Sequence, residues 1–101
     1  MLQRTARILV VEDELLTAME LDDTLRSAGY QVLGPAANVS AALELLRDER
    51  PDAAVLDVNL AGEWVTPVAE VLRAMSVPFI LSSGYGGVTY TLRQCSGMPS
   101  T

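Results

Sequence analysis

The 101-residue chain contains no histidine and no lysine, and its one cysteine is Cys95. Without histidine there is no Ser-His-Asp nucleophile, no histidine-ligated zinc and no imidazole pH switch. A single cysteine cannot close an internal disulfide, which fits a reducing cytoplasm, the expected location. The positive charge is seven arginines against thirteen acids, a net charge of −6. Such a balance disfavours the clustered phosphate contacts of nucleic-acid binding. Apolar runs reach only four or five residues, too few to cross a membrane. Acids follow the first apolar run at once with no small-residue cleavage site, so no secretory leader is expected. Carboxylates, hydroxyls, one thiol and the backbone are left to carry chemistry.

Half of the residues are hydrophobic, and their spacing alternates between two periods. "RILVVE" (Arg7 to Glu12) is a continuous apolar run, as in a strand covered on both faces. From Asp13 to Ala28 the spacing is helical, with Leu15, Leu16, Met19, Leu25 and Ala28 on a shared face and Gly29 as the stop. "YQVLGPAA" predicts a second strand ending at Gly34-Pro35. Asn38 or Ser40 caps a second helix that runs to Arg50-Pro51. "DAAVLDV" is a third strand and "NLAGE" a turn. A third helix spans about Glu63 to Met75, with Pro67 confined to its first turn and Thr66 as a candidate cap. "VPFILSS" is a fourth strand. Four strands alternating with three helices predict an α/β domain with a parallel sheet and right-handed crossovers.

On that scaffold Glu12 and Asp13 fall at the carboxyl end of the first strand, Asp57 at that of the third, and Ser82 and Ser83 at that of the fourth. Doubly wound sheets place their sites outside the carboxyl ends of strands, beside the switch point. Three carboxylates gathered there repel one another unless a cation sits among them, and Mg²⁺ suits a hard oxygen set that keeps some water. The chemistry suggested is phosphoryl transfer to a carboxylate. Taken singly, Glu12-Asp13-Glu14 fits equally well an acidic first helical turn. Asp57 is harder to explain away, because it directly follows the buried pattern "AAVL".

At these residues the chain resembles the receiver domain of two-component response regulators, in the style of short stand-alone receivers. The matching stretches are "ILVVEDE", "GYQVLGPAANVSAALELL", "PDAAVLDVNLAGE" and "VPFILSSGYG", in order over residues 7–86. The resemblance implies a flavodoxin-like doubly wound parallel sheet, with residues 1–86 as its core. It also implies that Asp57 is the phosphoacceptor, served by a sensor histidine kinase or phosphotransfer protein in a phosphorelay. By the same resemblance Glu12 and Asp13 hold Mg²⁺ together with Asp57 and the backbone carbonyl of Asn59. Ser83 holds the phosphoryl group, with Ser82 the weaker candidate. Trp64 is expected to be a partly exposed packing residue or a partner contact, and Tyr85 a cover for the pocket or a turn residue.

The family pattern continues with a fourth helix, a fifth strand ending in lysine and a fifth helix, and this sequence lacks them. Without lysine, the cation beside the phosphoryl group is missing, so phosphorylation is expected to be impaired. Residues 87–101 form an atypical tail in which "VTYTL" (Val88 to Leu92) alternates like a strand. "GYGG" is too short for a parallel crossover, so within one chain this segment folds back as an antiparallel hairpin. Alternatively it adds to a neighbouring chain and makes a homodimer through the open sheet edge, bringing Arg93 to pocket level. Two functional classes remain: a phosphoacceptor receiver, and a non-phosphorylatable interaction module. Carboxylate and Mg²⁺ enzymes of related sheet form need an Asp-x-Asp that neither Glu12-Asp13-Glu14 nor Asp57-Val58-Asn59 supplies, so no enzymatic activity is expected.

Overall fold

The computed structural model describes residues 5–60, 62–82 and 89–91, with Asn59 and the last three described by backbone alone. Among these residues seven strands and three helices follow in the order β1 (Arg7–Val11), α1 (Leu15–Ser27), β2 (Gln31–Ala36), α2 (Val39–Asp48), β3 (Ala53–Asp57), β4 (Asn59–Leu60), β5 (Glu63–Trp64), α3 (Thr66–Ala74), β6 (Phe79–Ser82) and β7 (Thr89–Thr91). The main sheet has the strand order β2-β1-β3-β6-β7. Its first four strands are parallel, and β7 joins β6 antiparallel in the same chain, with Ile80 opposite Thr91 and Ser82 opposite Thr89. The described part of the tail, Thr89–Thr91, thus lies antiparallel to β6. This is a truncated flavodoxin-like sheet. Its order reverses at β1 and β3, so a crevice opens beyond their carboxyl ends.

Alternation along the strands divides the apolar residues between two faces. Leu9 and Val11 of β1, Ala54 and Leu56 of β3 and Phe79 of β6 face a core that they share with Ala42 and Leu46 of α2 and Val68 and Leu72 of α3. Ile8 and Val10 point the other way and are also buried, as is Ala18 of α1. That explains why β1 reads as an unbroken apolar run. On the α1 face cover is incomplete. Ile8, Leu25, Tyr30, Val55, Pro78 and Ile80 line an apolar groove of about 350 Å³.

The helix ends follow local chemistry. Asn38 caps α2, its Oδ1 accepting from the Ala41 N–H at 2.8 Å. α1 stops at Gly29 (φ +98°), where the Gly29 N–H reaches the Arg26 carbonyl and the Tyr30 N–H the Leu25 carbonyl, a Schellman closure. α3 ends with the same pair of bonds, Ser76 to Arg73 and Val77 to Leu72, but with Ser76 at φ +61° in the left-handed position.

Several sequence expectations change. Leu15, Leu16 and Met19 do not pack inward; all three are exposed, and Ala18 is the buried residue of α1. Their flank of α1 has no helix beside it among the described residues, because α2 and α3 both lie across the sheet. β2 does not end at Gly34-Pro35 but runs through it to Ala36, with a cis peptide there and a register shift against β1 between Leu9 and Val11. Glu63 and Trp64 precede α3 instead of opening it, and Val65, not Thr66, occupies the cap position. Pro67 does sit in the first helical turn.

Candidate functional site: an acidic pocket at the strand ends

Two elements bring the acids together. β1 runs straight into Glu12 and Asp13, and β3 ends on Asp57. The two strands are adjacent and parallel, with Val11 opposite Leu56, so their carboxyl ends finish side by side. One carboxylate oxygen each from Glu12, Asp13 and Asp57 lies within 4.8 Å of the others. Asp13 is exposed, whereas Glu12 and Asp57 are only 4% and 7% exposed, the two buried charged residues among those described.

The surrounding backbone holds these groups in place. The Glu12 N–H donates to the Ala36 carbonyl at 2.9 Å, tying the end of β1 to the end of β2. The Glu14 N–H donates to Glu12 Oε2 at 3.0 Å and orients that carboxylate. On the other side Ser82 pairs in register with Asp57, and the Val58 N–H donates to the Ser82 carbonyl at 2.9 Å. Beyond Asp57 the chain makes a small hairpin, with Asn59 opposite Trp64 and Leu60 opposite Glu63, turning through Gly62 at φ +89°. The segment read from sequence as a simple turn thus carries two short strands. Leu60 is fully buried, which anchors the hairpin in the core.

Burial pushes the Glu12 carboxyl up to about 7, and the nearby Asp57 and Asp13 charges and a hydrogen bond with Asp57 push in the same direction; only the Glu14 N–H opposes them. Burial accounts for most of that rise, and the part due to Asp57 and Asp13 is a crowding of like charge that a cation would relieve. An oxygen-ligated divalent ion fits this donor set: three carboxylates in reach of one point, two of them buried and one open to solvent. The donors are hard oxygens throughout, which favours Mg²⁺ over softer metals.

Glu12, Asp13 and Asp57 therefore converge as the strand reading required. Asn59 follows in β4, beside the pocket by its place in the chain. Ser83 and Tyr85, like the rest of residues 83–88 and 92–101, lie outside the described residues. Trp64 is 71% exposed on the hairpin. Glu63 was missed as a site-adjacent residue. Its side chain accepts the Val39 N–H at the start of α2, 3.1 Å away, a contact 24 residues distant in sequence that no local pattern announces.

The family model for the response regulator receiver domain matches residues 8–96. The transcriptional regulatory protein PdtaR of Mycobacterium tuberculosis is 29% identical over 80 residues, which cover 78% of this chain and 39% of that protein. The chain thus spans about two fifths of that relative's length. Among solved structures, SdrG from Sphingomonas melonis Fr1 superposes with a TM-score of 0.75 at 43% identity, over 84% of this chain and 73% of that one. The receiver domain of the sensor histidine kinase PA1611 from Pseudomonas aeruginosa PAO1, solved with a magnesium ion coordinated in its active-site cleft, superposes with a TM-score of 0.70 at 27% identity, over 79% and 68% of the two chains.

Proposed function

This chain belongs to the response-regulator receiver family, and we propose that it accepts a phosphoryl group on Asp57 from a sensor histidine kinase or a phosphotransfer protein. The observation that carries this reading is the convergence of Glu12, Asp13 and Asp57 within 4.8 Å at the strand ends. Glu12, Asp13, Asp57 and the Asn59 carbonyl would hold Mg²⁺, and the ion would neutralise charge on the transferred group. The magnesium-bound receiver domain of PA1611 supports this assignment by likeness.

The work of the chain's own residues follows from their positions. Asp57 attacks the phosphorus of a phosphohistidine; its O–P bond forms as the P–N bond breaks, and the imidazole nitrogen leaves with the bonding pair and takes up a proton. Asp57 is itself only 7% exposed, so the attacking carboxylate is poorly hydrated. Asp13 is the one carboxylate of the three open to solvent. By resemblance, Ser83 donates a hydrogen bond to a phosphoryl oxygen. The sequence has no lysine; an ammonium beside the phosphoryl group is worth a factor of about 100 or more in transfer, so we expect transfer by these residues alone to be impaired.

A second reading is favoured by that missing lysine: an interaction module that is not phosphorylated and pairs with a second copy through the β7 edge. Beryllofluoride titration separates the two. Wild type should respond in the presence of Mg²⁺ and Asp57→Ala should not. Identical behaviour of both proteins would leave the interaction module as the better account.

A further inference from the structure

The hairpin that follows Asp57 is held by more than its own two rungs. Two-residue strands are marginal in water, and here the pairs are only Asn59 with Trp64 and Leu60 with Glu63. Leu60 and Val65 anchor one side in the core. On the other side Glu63 Oε1 accepts the Val39 N–H, the first amide of α2, at 3.1 Å. That helix already has a local cap in Asn38, which takes the Ala41 N–H. Glu63 therefore adds a long-range tie to a terminus that is capped without it.

The tie completes a path of chain and hydrogen bonds from the end of β1 to the end of β3. Glu12 is bonded through its N–H to the Ala36 carbonyl; two residues on, Asn38 opens α2; Val39 is bonded to Glu63; and the hairpin leads back through Asn59 to Asp57. We infer that Glu63 is a positioning residue, fixing the hairpin against the start of α2 and so holding the backbone at Asn59, two residues beyond Asp57, in the place the Mg²⁺ reading requires. The inference rests on the Mg²⁺-binding reading above and adds a residue to it that does not touch the ion.

The test is a Mg²⁺ titration of the full chain, read by calorimetry and by the emission of Trp64, the chain's one tryptophan and a member of the hairpin itself. Glu63→Ala should weaken Mg²⁺ binding about fivefold, the worth of roughly one net hydrogen bond. Glu63→Gln keeps an accepting oxygen and should stay within about twofold of wild type. Asn38→Ala removes the local cap of α2 and should lower the melting temperature in EDTA while leaving Mg²⁺ affinity near wild type. Equal affinity in wild type and Glu63→Ala overturns the inference, and so does Glu63→Gln binding as weakly as Glu63→Ala. A loss in Asn38→Ala matching that in Glu63→Ala also overturns it, because general loosening of α2 would then account for both. No Mg²⁺ response in the wild type overturns the metal reading itself, and the inference with it.

Discussion

Glu12 makes the metal-free protein sensitive to pH in a direction opposite to that of most carboxylates. Its folded-state value of about 7 stands above the ordinary 4.5, chiefly through burial and then through Asp57 and Asp13. Below pH 4.5 Glu12 is protonated in both folded and unfolded chains and costs nothing. As the pH rises toward 7 the unfolded chain releases this proton while the folded one keeps it, so stability falls; above 7 the full penalty is present. A displacement from 4.5 to about 7 corresponds to roughly 3 kcal/mol, as an upper estimate. Glu12→Gln removes the titration and keeps a side chain of the same shape whose amide can donate to Asp57. Urea unfolding of both proteins in EDTA, from pH 4.5 to 8, gives the difference directly and cancels the background of other acids. The variant should gain about 3 kcal/mol on wild type across that range. A difference that stays flat to within about 0.5 kcal/mol would refute the electrostatic account of the pocket. If Mg²⁺ binds as proposed, it competes with the Glu12 proton, so at pH 8 an ion concentration 100 times its Kd should return about 2.7 kcal/mol to wild type and distinctly less to the variant.

Two further outcomes test the scaffold beneath the site. Gly34 has φ +99°, and a Cβ there would stand 2.8 Å from the Ala36 nitrogen and 3.0 Å from the Val10 carbonyl oxygen. Gly34→Ala should therefore cost about 2 kcal/mol or more in chemical denaturation, since backbone atoms would have to move. Ser76 occupies the left-handed position that closes α3, so Ser76→Gly should raise stability by about 0.5–1 kcal/mol and the melting temperature by several degrees.

The exposed flank of α1 follows from the same incomplete covering as the apolar groove. Leu15 and Leu16 are each 69% exposed, and the α1 side of the sheet is left open at Val55 and Ile80. In a helix pattern these leucines read as core, because periodicity shows which residues share a face and not whether anything lies against it. Trp64 illustrates the same limit: the Pro67 turn pointed to a helix start nearby, yet whether Glu63 and Trp64 belonged to the helix or to a preceding hairpin depended on Leu60 finding the core.

What the amino-acid sequence determined alone is the alternation of the main strands and helices and the chemistry available to them. Strand and helix periods, the Gly29 stop and the placing of Glu12, Asp13 and Asp57 at strand ends are local facts, set by backbone sterics and by the cost of burying a charge without purpose, whereas the choice of Asn38 over Ser40 as the α2 cap came from the structure. The absence of histidine and lysine narrowed the chemistry further. The tertiary structure decided the rest: that Glu12 is buried and proton-retaining while Asp13 stays wet, that Glu63 reaches α2, that β2 passes through Gly34-Pro35, and that Leu15, Leu16 and Met19 face solvent. Each of these depends on which surfaces meet across long sequence separations. Solvation and long-range hydrogen bonding exist only once the sheet has assembled.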